Sequence, residues 1–252
     1  MNTSTTYPQA DTIEQLRDNL AAVRQRIDQA CRKAGRDPQE VRLLPVSKTH
    51  SADYLRLAYA AGCRMLGENK VQEAYQKWQE LEDLTDLKWS IIGHLQTNKA
   101  RYVARFASEF HALASLRLAR TLNQRLAIED RHLDVLVQIN TSGEASKFGI
   151  TPEQAPELIS QLAQFPRLRV RGLMTLAIHS DDETAVRNCF IMLRELRDSL
   201  QKIAPEGMQL TELSMGMSGD FELAIAEGAT IVRIGQAIFG PREQPDSFYW
   251  PK

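Results

Sequence analysis

The sequence predicts an α/β fold, a single (β/α)8 barrel of the TIM type with an extra N-terminal helix. Three observations predict it. Eight short apolar runs of strand length are spaced along the chain, and a segment with helical period lies between each run and the next. The 252 residues also carry no linker, low-complexity tract or composition shift, and their number matches the roughly 250 residues of one such barrel. One domain is therefore expected over 1–252, with 1–10 as a disordered tail.

The extra helix comes first. Ile13, Leu16, Leu20, Val23, Ile27 and Ala30 recur at steps of three and four, the stripe of an amphipathic helix. Asp11 is placed to cap it, Glu14 stands three residues on in capping-box spacing, and Gly35 is placed to end it. The first strand is expected at 41–47, with a helical pattern near 52–61 after it. Strand 64–67 leads to a helix near 70–82, strand 87–93 to one near 96–106, and strand 110–113 to one near 115–129. Strand 133–140 precedes a helix near 152–164, 168–174 precedes 182–203, and 211–214 precedes 218–227. The eighth strand is 229–235. Pro45 falls inside the first strand and cannot donate to a ladder, which marks a bulge or an irregular strand.

Composition excludes several functions. A net charge of −1 gives no reason to expect nucleic acid or an anionic membrane as a partner. Cys31, Cys63 and Cys189 are far apart with no C-x-x-C, so they read as reduced thiols rather than disulfides or a zinc site. The five histidines show no metal-ligand spacing, so no metal is assigned. No G-x-G-x-x-G or Walker-type loop is present, which argues against dinucleotides and nucleoside triphosphates. The opening segment from Met1 to Ala10 lacks a cationic region and an apolar core, and no stretch approaches the roughly 18 apolar residues of a membrane span. A cytoplasmic protein is expected.

In a barrel, functional groups collect at the carboxyl ends of the strands. Here these are Lys48, then Glu68 and Asn69, His94, the segment from Asn140 to Glu144, Met174 and Thr175, Ser214 to Gly216, and Gly235 with Gln236. Alternation puts Leu44, Val46 and Lys48 on one face of the first strand. A lysine turned inward among aliphatic groups loses hydration, which lowers its pKa and frees a nucleophilic amine able to form a Schiff base; the plainer alternative is a strand-end lysine reaching solvent. The loops after strands seven and eight of such barrels often hold phosphate. Ser218 is placed to cap the next helix, Gly219 lets a ligand approach the backbone, and the first N–H groups of the helix suit an anion. The same Ser-Gly-Asp is also an ordinary helix opening, and Asp220 would repel a phosphate. Arg233 falls on the inner face of strand eight with Ile231 and Gly235, and a buried guanidinium needs a partner. That partner is either an acid such as Glu68 or Glu212, or the ring nitrogen of a ligand, which an arginine would keep unprotonated. A buried amine together with a phosphate cradle points to pyridoxal phosphate. A lone histidine such as His94 is more often structural than catalytic.

Seven stretches carry a resemblance: Leu44-Pro-Val-Ser-Lys-Thr49, Gly67-Glu-Asn-Lys-Val-Gln-Glu73, Trp89 to Lys99, Asn140 to Gly149, Arg171-Gly-Leu-Met174, Leu213 to Asp220 and Arg233 to Gly240. In order and spacing they resemble the pyridoxal phosphate homeostasis proteins, which are similar to the barrel domain of bacterial alanine racemases. The resemblance implies pyridoxal 5'-phosphate as cofactor, a Schiff base at Lys48, phosphate contacts from Ser214, Ser218, Gly219 and Gly235, Arg233 at the pyridine nitrogen and Asn69 near the ring. The family usually has a small residue where Pro45 stands and a hydroxyl where Gln236 stands, and the latter change removes one phosphate contact while leaving the backbone N–H.

An alanine racemase has a second, β-rich domain and takes a catalytic tyrosine from its partner. Here 17 residues follow strand eight, with Pro241, Pro245 and Pro251 among them, and no room is expected for such a domain. The expectation is thus a monomeric binder or carrier of pyridoxal phosphate without catalytic residues of its own, a protein of cofactor homeostasis with apo forms of cofactor-dependent enzymes as partners. The rivals are a weak amino-acid racemase and, less favoured, a Schiff-base aldolase.

Overall fold

Eight parallel strands occur in the expected order: β1 (Arg42–Pro45), β2 (Met65–Glu68), β3 (Lys88–Ile91), β4 (Glu109–Leu113), β5 (Leu133–Gln138), β6 (Leu168–Met174), β7 (Glu212–Ser214) and β8 (Ile231–Ile234). The computed structural model describes residues 7, 9–144 and 147–241. Neighbouring strands pair in the sequence β1-β8-β7-β6-β5-β4-β3-β2. A single parallel bridge between Val46 and Gly67, with the Ser47 N–H donating to the Gly67 carbonyl at 3.0 Å, joins the two ends of that row.

Pro45 explains why this seam is thin. Along β1 the N–H groups of Arg42 and Val46 donate to β8, at Thr230 and Ile234, so by alternation position 45 faces β2. Proline has no donor to offer there. The expected bulge does not occur: β1 runs in unbroken register with β8 from Arg42 opposite Ile231 to Pro45 opposite Ile234.

The helices are α1 (Ile13–Lys33), α2 (Ala52–Ala60), α3 (Val71–Glu80), α4 (Ala100–Phe106), α5 (Leu116–Ile128), α6 (Ala155–Leu162), α7 (Glu183–Ile203), α8 (Phe221–Ala226) and α9 (Gln236–Phe239). Short 3-10 turns, Thr97–Lys99 and Pro152–Gln154, lead into α4 and α6, which is why the helical period starts early in both places. α1 turns Leu16, Leu20, Val23, Ile27 and Cys31 inward and packs against α8, α9 and α2. Its cap lies one residue beyond the expected Asp11 and Glu14. Thr12 accepts from the Gln15 N–H, and the Gln15 side chain accepts from the N–H groups of Thr12 and Asp11, so glutamine completes the box. Gly35 follows the C-cap Ala34 at φ +68°, a left-handed position that favours glycine. α9 has no counterpart in the sequence reading: four residues are too few to show a period.

Of the expected disordered tail, residues 1–6 and 8 lie outside the described residues. Ala10 is fully buried, its carbonyl accepts from the Tyr54 hydroxyl at 2.5 Å, and the Tyr7 hydroxyl donates to the Ser218 carbonyl at 3.2 Å. The tail's end is therefore packed, and it supports the loop after β7. Among the described residues no helix is long and apolar enough to cross a membrane, and no cluster of His, Cys, Asp or Glu is placed to hold a metal ion.

Gly172 shows how closely the ring is drawn. A Cβ there would stand 1.8 Å from the Glu212 carbonyl oxygen, where β6 and β7 pair. Gly172→Ala must force the two strands apart, and overpacking of this kind costs about 3 kcal/mol. The thermal midpoint of the variant by circular dichroism should fall by several degrees, and an unchanged midpoint would show that the ring can open locally at no cost.

Candidate functional site

The strands' carboxyl ends surround a cavity of about 560 Å³, within the range of small-molecule sites. Lys48 and Val46 line it from the end of β1, Asn69 from β2, Gly93 and His94 from β3, and Gln138 from β5. Ser218, Gly219 and Asp220 contribute from the loop after β7, and Arg233, Gly235 and Gln236 from β8. Six of the seven residues singled out in the sequence thus share one cavity. Close backbone packing brings them together. A Cβ on Gly235 would meet the Val46 carbonyl at 3.1 Å, and one on Gly93 would meet the Asn69 carbonyl oxygen at 2.2 Å. Glycine at both positions draws β8 toward β1 and β3 toward β2 at the rim.

Ser214, the seventh, does not line the cavity but lies directly behind it. It is fully buried, and its Oγ accepts from the Arg233 guanidinium at 2.7 Å. The other arm of Arg233 donates to the Thr175 carbonyl at 2.8 Å. Burial lowers the Arg233 pKa to about 10, so the group stays charged at neutral pH. Neither Glu68 nor Glu212 pairs with it: Glu68 bonds Ser47 and Lys77, and the Glu212 carboxyl is pushed up by its own burial.

Behind Ser214 a chain of hydrogen bonds continues across the barrel. His111 Nδ1 is 3.1 Å from Ser214 Oγ, and its Nε2 is 3.0 Å from Glu109 Oε2 and 3.2 Å from Ser90 Oγ. Glu109 in turn meets the Arg42 guanidinium at 2.9 Å. Donors and acceptors can be assigned along the row. Burial would raise the Glu109 carboxyl, but His111 and Arg42 outweigh that and hold it at about 2, so it is ionised and only accepts. Burial lowers the His111 pKa, so a neutral ring gives its one N–H, at Nε2, to Glu109. Nδ1 then accepts from the Ser214 hydroxyl, whose oxygen accepts from Arg233. His111 gave no sequence signal because its partners come from β3, β4 and β7.

Ser218, Gly219, Gly235 and Gln236 also line the cavity, and their backbone N–H groups make no bond to another described residue. Ser218 is not the helix cap expected of it. α8 starts only at Phe221, with Asp220 before it, and Asp220 turns its carboxylate back onto the Met217 N–H at 2.5 Å. Burial pushes that carboxyl up, opposed by the Met217 N–H and by Arg233.

His94 stacks on Phe148 with ring centroids 4.1 Å apart, and burial lowers its pKa. The segment from Asn140 to Glu144 does not line the cavity: Asn140 accepts from Ser142 and donates to the Glu144 carbonyl, and the Thr141 hydroxyl bonds that of Thr175 at 2.9 Å.

Comparison with known proteins adds to this geometry. The family model for the N-terminal domain of alanine racemase matches residues 19–243. A pyridoxal phosphate homeostasis protein of Aquifex aeolicus is 42% identical over 226 residues, 90% of this chain and 98% of the relative. One of Pseudomonas aeruginosa is 45% identical over 226 residues, 90% of this chain and 95% of the relative. The chain belongs to the pyridoxal phosphate homeostasis protein family. The structure of PipY from Synechococcus elongatus PCC7942 with PLP bound is similar at 38% identity and a TM-score of 0.80, covering 89% of this chain and 100% of that one.

In this member of the family the buried row sets an acid dependence. Glu109 has a folded pKa of about 2 against an ordinary 4.5, so its stabilisation is complete above 4.5 and is lost as pH falls toward 2. His111 acts in the same direction from higher pH. It is kept neutral in the fold, so the unfolded chain takes up its proton first below about 6.5. Stability measured by urea denaturation should decline from about pH 6.5 downward, and Glu109→Gln should flatten the part below 4.5 by about 3 kcal/mol. An undiminished slope there in the variant would show that Glu109 is not held as described.

Proposed function

We propose that this protein binds pyridoxal 5'-phosphate, holds it as a Schiff base on Lys48, and serves as a monomeric, cytoplasmic carrier in cofactor homeostasis without turnover of its own. One observation carries the reading: a single cavity presents an amine, an inward guanidinium and four open backbone N–H groups. The N–H groups of Ser218, Gly219, Gly235 and Gln236, with the Ser218 hydroxyl, suit the phosphate, since backbone nests of this kind favour anions. Gln236 contributes by its backbone, so its missing hydroxyl costs only one bond. Arg233 faces the pyridine nitrogen and, being charged, donates to it. Ser214 holds the guanidinium rather than touching the phosphate, and Asn69 stands beside the ring. Lys48 would supply the amine for the Schiff base, with the carbonyl oxygen leaving as water.

The family's name and the cofactor bound to PipY support this reading. When bound, the cofactor supplies an electron sink for carbanion chemistry, and an arginine at its ring nitrogen weakens that sink. Recipients of the cofactor are apo forms of the enzymes that use it. The racemase alternative draws on His94, which lines the same cavity and is stacked on Phe148.

Purified protein should show a visible absorption band that borohydride bleaches, with the adduct mapped to Lys48 by peptide mass spectrometry. Lys48→Ala should lose both. An adduct at Lys70, Lys99 or Lys147 would overturn the assignment. Turnover of alanine enantiomers at enzyme rates, roughly 1–1,000 per second, would overturn the carrier reading. Arg233→Glu should let the ring nitrogen protonate, read as a shift of the labelled nitrogen by NMR. A nitrogen already protonated in the unaltered protein would disprove the pairing.

A further inference from the structure

The residues on either side of Lys48 are gripped by one buried group of charges. Lys77 on α3 is 7% exposed in its side chain and sits between Glu68, fully buried at the end of β2, at 2.9 Å, and Glu73, one helical turn earlier, at 2.6 Å. Each member of this triad reaches the chain around Lys48. Glu68 Oε1 accepts from the Ser47 hydroxyl at 2.6 Å, and Lys77 Nζ donates to the Ser47 carbonyl at 3.2 Å. Glu73 Oε1 accepts from the Thr49 N–H at 2.8 Å. Ser47 and Thr49 are thus both fixed, and Lys48 lies between two fixed points.

The grip has a cost that a packing role alone would not require. Thr49 adopts φ +74°, a left-handed conformation that is unfavourable for a β-branched residue. Such strain persists only where surrounding bonds over-determine the backbone, and it concentrates at functional sites. Glu68 Oε2 is buried without a hydrogen-bond partner, a further expense in the same cluster. His50, next along the chain, is stacked on Tyr54 with centroids 4.6 Å apart, which anchors the segment downstream. A triad that burdens the fold in two places, while making three bonds to the neighbours of a single lysine, is suited to aiming that lysine.

We infer that Glu73 and Lys77, with Glu68 behind them, are positioning residues that hold Ser47 and Thr49 so that the Lys48 amine is presented to the cavity. The inference rests on the cofactor reading above and adds to it the residues that prepare the amine. Its consequence is specific. The grip serves bond formation at Lys48, whereas the phosphate contacts and the Arg233 contact come from the loop after β7 and from β8, which the triad does not bond.

Two ligands separate these contributions. Pyridoxal phosphate can bond to Lys48, whereas pyridoxamine phosphate carries the same ring and phosphate but no aldehyde. Glu73 is partly exposed, so Glu73→Ala should fold. It is expected to weaken pyridoxal phosphate about tenfold, the loss of one charge-assisted hydrogen bond, while pyridoxamine phosphate stays within about twofold. Glu73→Gln keeps an acceptor for the Thr49 N–H and should recover most of the loss. Lys77→Met, which retains the apolar stem, should behave as Glu73→Ala does. Equal weakening of both ligands would show general damage and overturn the inference, as would variants that bind pyridoxal phosphate normally. Failure of the unaltered protein to bind either ligand would overturn the cofactor reading itself, and this inference with it.

Discussion

The guanidinium of Arg233 is a full positive charge inside the barrel, and the barrel's polar interior is arranged around it. Leaving such a group unpaired costs several kcal/mol. No acid bonds to it directly. Its two arms are taken by Ser214 Oγ and the Thr175 carbonyl, and the charge is answered through His111 and the ionised Glu109 at the far end of the row. Buried networks of this type rigidify a fold when every member is satisfied and destabilise it when one is not. Here each polar atom of the row has an assignable partner. Asp220, which lines the same cavity, is the carboxylate whose charge favours the guanidinium from that side.

The two sides of the cavity are held by different means. The wall made by β7, β8 and their loops is a backbone surface. Glycine at 235 fits β8 against Val46, and Ser218, Gly219 and Gln236 line the cavity beside it. The wall around Lys48 is a side-chain device, in which a buried triad overrides the backbone preference of Thr49. Functional groups mounted on strand ends and supported by a second layer keep their geometry better than groups on free loops. The Tyr7 contact to Ser218 extends that support to the loop after β7, drawing on a segment that reads as an unstructured tail.

A barrel of this kind hosts many chemistries, so function has to be argued from the site. The relevant contrast is between holding a cofactor and using it. Holding requires an amine, an anion seat and a ring partner, the roles proposed for Lys48, the loops after β7 and β8, and Arg233. Using it for racemisation also requires proton donors and acceptors placed over both faces of the ring. His94 belongs to the wall, stacked on Phe148, and Asp220 is occupied by the Met217 N–H.

The sequence by itself determined the eight strands, the order of the helices and six of the residues that share the cavity. These are legible because hydrophobic period and strand-end position are local properties: alternation places Lys48 and Arg233 inward, and short spacing places Ser218 and Gly219 together. Tertiary structure alone decided the rest, because those features are made by residues that are distant in the chain. The engagement of the Ser214 hydroxyl by Arg233 and His111 is one such feature. The burial of Lys77 between Glu68 and Glu73, against the end of β1, is another. Pro45 reads as a defect until closure of the ring shows which neighbour lost the donor. Period and motif report what one segment prefers, whereas the partner that satisfies a buried charge is chosen only when eight strands meet.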